Sequence, residues 1–132
     1  MGDVEDLERR AGSGDTEAMV ALGYMAYQYA EDPESALRWF EAAANLGDER
    51  AMTWAGHASR AIAINHDLEP SYVAAHSWYS KAACSSDEAT AREARDALRT
   101  LADDIRELAD AECSGAVDAM AVIDAAEGAT NE

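Results

Sequence analysis

Lysine and phenylalanine each occur once in this chain of 132 residues, and proline and cysteine only twice each. Valine and isoleucine together number nine and never stand more than two together, which argues against a sheet, because strands draw on β-branched residues. No apolar stretch nears the roughly 20 residues that a membrane-spanning helix needs. Two cysteines, Cys84 and Cys113, are too few for a disulfide framework, so free thiols and a cytoplasmic location are expected. The acidic opening Met1-Gly2-Asp3-Val4-Glu5-Asp6 lacks the apolar segment of a secretory signal. Cations are scarce as well. Ten Lys and Arg against 27 Asp and Glu leave a formal charge of −17, which repels nucleic-acid phosphates and anionic lipid and favours encounter with a basic partner.

What the chain has in abundance is alanine, its commonest residue by a wide margin. Alanine is the strongest helix former and lets helices approach closely. Within that background two segments repeat. Gly14-Asp15-Thr16-Glu17-Ala18-Met19 returns as Gly47-Asp48-Glu49-Arg50-Ala51-Met52. Ala36-Leu37-Arg38-Trp39-Phe40-Glu41-Ala42-Ala43-Ala44 returns as Ala75-His76-Ser77-Trp78-Tyr79-Ser80-Lys81-Ala82-Ala83. The common pattern, A-x-x-W-[F/Y]-x-x-A-A, puts Ala36, Trp39 or Phe40, and Ala43 or Ala44 on one helical face.

Helix punctuation agrees with the repeat. Gly47 is a left-handed stop, and Asp48 caps the helix after it, with Asp15 and Asp87 in comparable places. Asp32-Pro33 and Glu69-Pro70 each open a helix, proline being tolerated in a first turn. Helices are therefore expected near 3–12, 15–30, 34–45, 48–64, 71–84, 87–111 and 115–127. Glu8 to Asp15 aligns with Glu41 to Asp48, so the first helix reads as half of a leading unit, with Arg9 and Arg10 where buried alanines would stand. The fold class expected is all-α, a short α-solenoid of about two to three helix-pair repeats with a long C-terminal capping helix. It forms one domain over 1–127, divided into a half-repeat cap at 3–13, repeats at 14–47 and 48–86, and capping helices at 87–127. Residues 128–132 are expected as a disordered tail.

These residues resemble the Sel-one-like repeat family, helix-pair solenoids related to tetratricopeptide repeats, whose signature runs A-x-x-x-L-G-x-x-Y and then D-x-x-x-A-x-x-W-[F/Y]-x-K-A-A-x-x-G. Ala18, Leu22, Gly23, Ala36, Trp39, Phe40, Ala43, Ala44 and Gly47 match one unit, and Ala51, Gly56, Ala75, Trp78, Tyr79, Lys81, Ala82 and Ala83 match the next. The likeness covers about residues 3 to 90. It departs at Ala26, where the family prefers tyrosine, and at Ala55, which replaces the leucine before Gly56. The second unit is also six residues longer between Ala51 and Ala75, across His57 to Leu68. That stretch reads either as a place to recognise a particular partner or as an extended loop. The resemblance implies an adaptor that presents a concave surface lined by the first helix of each pair. On this chain that surface would carry Tyr24, Tyr27, Gln28, Trp54, His57 and Arg60, side-chain types that include those favoured at interface hot spots. Ordinary packing between helices is the competing role for Tyr24 and Trp54.

Beyond residue 86 a seam of Ala91, Ala94, Leu98, Leu101, Ile105 and Leu108 alternates three and four apart. It is expected to cover the last helix pair, with 115–127 folding back through Val117, Met120 and Ile123. A homodimer through residues 87–111 is the alternative use of the same seam. No catalytic, cofactor-binding or metal site is legible. His57, His66 and His76 stand nine and ten apart, off a common helical face, no nucleophile motif is present, and Gly12-Ser13-Gly14 lacks the lysine of a phosphate cradle. The expected function is a non-enzymatic adaptor binding a protein or peptide. An acidic inhibitor of a basic effector, such as an immunity protein or antitoxin, is the second reading, and a hydrolase or metal enzyme the third.

Overall fold

A computed structural model describes residues 2–130 of the chain, with side chains described for 4–127. Over those residues the protein is all-α, seven helices packed in sequence: α1 Gly2–Gly12, α2 Thr16–Gln28, α3 Pro33–Asn45, α4 Glu49–His66, α5 Glu69–Ala83, α6 Glu88–Asp110 and α7 Ser114–Thr130. Turns of two to four residues join them, short enough that each helix packs on the next. In addition α6 reaches back to α4, and α7 to α5. Helix α7 continues through positions 128–130, which the sequence assigns to the tail, and residues 131–132 lie outside the described residues.

The helix starts follow from side-chain caps. The Asp15 carboxylate accepts from the Glu17 and Ala18 amides at 3.0 and 3.3 Å. Asp48 accepts from Arg50 and Ala51 at 3.1 and 3.2 Å, and Asp87 from the Thr90 amide and hydroxyl at 3.2 and 2.6 Å. Each satisfies amides that a helix N-terminus otherwise leaves open. Asp32 does the same for α3 through Ser35. The ends of α1 and α3 are also alike. Gly14 and Gly47 sit at φ +96° and +99°, and their amides donate to Ala11 and Ala44. Without a Cβ, glycine takes this left-handed conformation freely.

Counted from the capping aspartates, α2, α4 and α6 share a register. Ala18, Ala51 and Thr90 stand three residues after the cap, and Leu22, Ala55 and Ala94 seven after it; all six are buried. The core of α2–α5 is built on glycine–aromatic contacts. Phe40 and Tyr79 are fully buried. A Cβ on Gly23 would lie 2.6 Å from Phe40 Cε1, and one on Gly56 2.5 Å from Tyr79 Cδ1, so each ring occupies the space its glycine leaves. Of each Trp-aromatic pair, then, the second ring is the buried anchor. Trp39 and Trp78 are half-buried, and both pack on the layer formed by Ala18, Met19, Leu22, Ala43, Ala44 and Ala51.

The long segment between Ala51 and Ala75 is mostly helix, not an extended loop. Five more residues of helix make α4 18 residues long against 13 for α2, and carry Asp67 to the start of α7. Asp67 ends α4 at φ 49°, and its carboxylate accepts from the Gly115 and Ala116 amides at 2.9 and 3.1 Å and from the Tyr72 hydroxyl at 3.2 Å. It therefore caps α7 from a distant point in the chain. Any Cβ on Gly115 would collide with the Asp67 carbonyl. The apolar seam of α6 is used inside the molecule, as Leu101 and Ile105 close a core with Tyr72, Ala75, Ala116, Ala119 and Ile123. On α7, Ile123 and Met120 pack into this core as expected, joined by Ala116 and Ala119, whereas Val117 is 43 % exposed.

Candidate functional site

Four of the six residues expected on the first-helix surface meet in one row of rings. Trp54, on α4, is its centre. Tyr24 and Tyr27 from α2 meet it edge-to-face at 5.5 and 6.1 Å between centroids. His57, one turn further along α4, meets it at 5.4 Å, and Phe40 from α3 stacks beneath at 5.7 Å and 23°. Perpendicular and offset arrangements such as these suit the quadrupoles of aromatic rings. The row extends outward through Tyr29, 6.2 Å from Tyr24 and 79 % exposed.

His57 joins the row to the second buried ring. Its Nδ1 lies 2.7 Å from the Tyr79 hydroxyl, and its Nε2 is 4.0 Å from Glu93 on α6. Burial, with a smaller contribution from the nearby Arg60 charge, lowers the imidazole pKa to about 4, so His57 is neutral near neutral pH. Burial also pushes the Tyr79 phenol well above its ordinary range. A neutral phenol beside a neutral imidazole is a sound buried hydrogen bond, in which the hydroxyl donates to Nδ1 when the ring proton sits on Nε2.

Arg60 is not part of the row. Its guanidinium is held by Asp104 of α6, at 2.6 Å from Nε and 2.5 Å from a terminal nitrogen, so it ties α4 to α6. Gln28 is exposed at the end of α2 beside the row's outer edge. Phe40, Tyr29, Tyr79 and Glu93 belong to the surface or its support and are missing from the six residues read from the repeat. Glu93 was within reach of the sequence, since it follows Asp87 by the six positions that separate Trp54 from Asp48. No such spacing marks Tyr29, which lies just past the end of α2.

The three histidines are kept apart: His57 faces Tyr79 and Glu93, His66 faces Glu34 at 3.5 Å, and His76 faces Glu127 at 3.0 Å. Among the described residues no trio of His, Cys, Asp or Glu is grouped to hold a metal ion, and no helix is long and apolar enough to cross a membrane. Comparisons with protein-family models, curated proteins and solved structures return no match, so no family is identified.

Proposed function

We propose that this chain is a non-enzymatic binding module that holds a protein or peptide segment across the aromatic row of α2 and α4. On this reading α2–α3 and α4–α5 are two stacked hairpins of the Sel-one-like kind, α1 is a leading half unit, and α6–α7 close the stack. The matching glycine–aromatic contacts and the shared cap register of α2, α4 and α6 support that arrangement. The observation that carries the function is the row itself. Tyr24 keeps 36 % of its surface and Tyr29 79 %, so large rings face solvent, with Tyr24 set against Trp54, which in turn stacks on Phe40. Rigid, half-exposed aromatics of this kind are what anchors an interface at low entropic cost.

Site-directed photo-crosslinking tests the reading. A photoreactive residue at Gln28 should trap a defined partner in the native extract, and Tyr24→Ala should suppress the adduct. The same residue placed at Ser77, exposed on α5, should not trap it. Equal adducts from both positions would remove the row as the binding surface. The −17 charge favours an inhibitor of a basic effector as the form such a module takes. That version predicts binding that weakens steeply with salt.

A further inference from the structure

Resting on that reading, we infer that the segment held by the row is a basic, arginine-bearing peptide in extended form, with one guanidinium on the Tyr24–Tyr29 corner and a second at Glu93. Two independent features point to a cation. Tyr24 and Tyr29 stand at 80° to one another, 6.2 Å apart, both open to solvent, which presents a ring face and a ring edge to one incoming group. Aromatic faces attract cations, and arginine in particular stacks on them. At the other end of the row the neighbour of His57 is a carboxylate, Glu93, with 63 % of its side chain exposed.

Opposition to a positive charge along the row is limited: His57 is neutral near neutral pH, and Arg60, whose charge disfavours protonation of His57, is paired with Asp104. The molecule as a whole carries −17, so a basic segment is drawn toward it and then sorted by the rings. Arginine suits both ends better than lysine, because a planar guanidinium stacks on a ring and pairs with a carboxylate through two parallel hydrogen bonds. The ring-to-ring steps from Tyr24 through Trp54 and His57 to Glu93 follow a bent path of roughly 15 Å, an upper limit on the direct span. At about 3.4 Å per residue, extended chain covers it with no more than four residues between the two arginines.

The probes are blocked synthetic peptides bearing two arginines separated by one to eight Gly/Ser residues, titrated into the full chain and followed by the indole N–H resonances of its three tryptophans. Affinity should peak at a spacer of four residues or fewer, about fivefold above the longest spacers, and replacing both arginines by lysine should weaken binding by about threefold. Trp54 should shift while Trp39 and Trp78 do not. Glu93→Gln should flatten the spacing dependence, whereas Glu107→Gln, which removes the same charge from another part of α6, should leave it intact. Affinity that ignores spacing, equal binding of the lysine series, or loss of binding with Glu107→Gln would each overturn the inference and leave only general attraction of a cation to an acidic protein. If a partner is still trapped through Gln28 while the peptides fail, the module stands and its ligand is not basic. If no partner is trapped there either, the module falls as well.

Discussion

The aromatic middle of the chain and its aromatic-free end solve the same packing problem differently. All nine aromatic residues lie between Tyr24 and Tyr79, where glycines on α2 and α4 make room for whole rings from α3 and α5. Helices α6 and α7 have only alanines and medium-sized aliphatics to offer. A cleft of about 310 Å³ lined by Leu98, Leu101, Ile105, Met120 and Ile123 opens there between α5, α6 and α7. What the end lacks in ring packing it makes up with polar ties, the Asp67 cap on α7, the Arg60–Asp104 pair and the His76–Glu127 contact. A ring against a glycine is specific by shape, whereas a carboxylate across a helix end is specific by direction.

If the middle depends on shape, removing a ring should do the most damage. Phe40→Ala should cost about 3–5 kcal/mol in unfolding free energy, because it deletes a fully buried ring and leaves a cavity facing Gly23. Trp39→Ala, at a half-buried site, should cost clearly less. Denaturant titration of both variants checks this, and an equal loss would mean that Phe40 is not the anchor of its pair.

The His57–Tyr79 contact offers the next largest effect. In the unfolded chain His57 titrates near 6.5, and in the fold its pKa is about 4. The unfolded state therefore takes up a proton between those values while the native state does not, so this contribution is constant above about pH 6.5 and lost as pH falls toward 4. Its full size is about 3 kcal/mol. Protonation of the many carboxylates relieves self-repulsion over part of the same range, so the test is a difference. Unfolding free energy of the wild type minus that of His57→Gln should fall by up to that amount between pH 7 and pH 4, and a flat difference would show that His57 is not buried neutral.

If the end depends on polar ties, loosening one should release α7 without disturbing the middle. Asp67→Gly keeps the left-handed backbone available and removes the cap, which should cost about 1–2 kcal/mol. Amide exchange should quicken along α7 first, while α2 to α5 keep their protection. Uniform acceleration throughout would mean that α7 is integral to a single cooperative unit.

How far the sequence discloses these two regions follows from the range of the interactions. Caps, stops and prolines act within four residues, so Asp15, Pro33, Asp48 and Asp87 mark the starts of α2, α3, α4 and α6 to within a residue, and Gly47 marks the end of α3. The alternation along α6 likewise identifies its buried face. Long-range choices are not local. Nothing near Trp39-Phe40 says which of the two adjacent rings turns inward, because Gly23, on the preceding helix, decides it. Asp67 looks like one more acidic residue in a stretched connection until Gly115 is brought to it. The surface shows the same division. Tyr24, Tyr27, Trp54 and His57 follow from the first-helix surface that the repeat resemblance implies, whereas the engagement of Arg60 with Asp104 depends on where α6 comes to rest.

The smallest expected effect tests α4, the helix that both regions share. Ser59 and Thr53 are buried at 1 % and 3 % exposure, and neither hydroxyl has a hydrogen-bond partner in the protein. A hydroxyl taken out of water without a partner is a net cost, yet alanine and valine could fill these sites at nearly the same volume. Ser59→Ala and Thr53→Val should therefore be neutral or stabilise by up to about 1 kcal/mol, against the general tendency of core substitutions to destabilise. Thermal unfolding of the two variants, singly and together, is the measurement. A loss above about 1 kcal/mol for Ser59→Ala would mean that a bound water satisfies its hydroxyl, and that α4 is held by a polar tie like those of the C-terminal end rather than by shape.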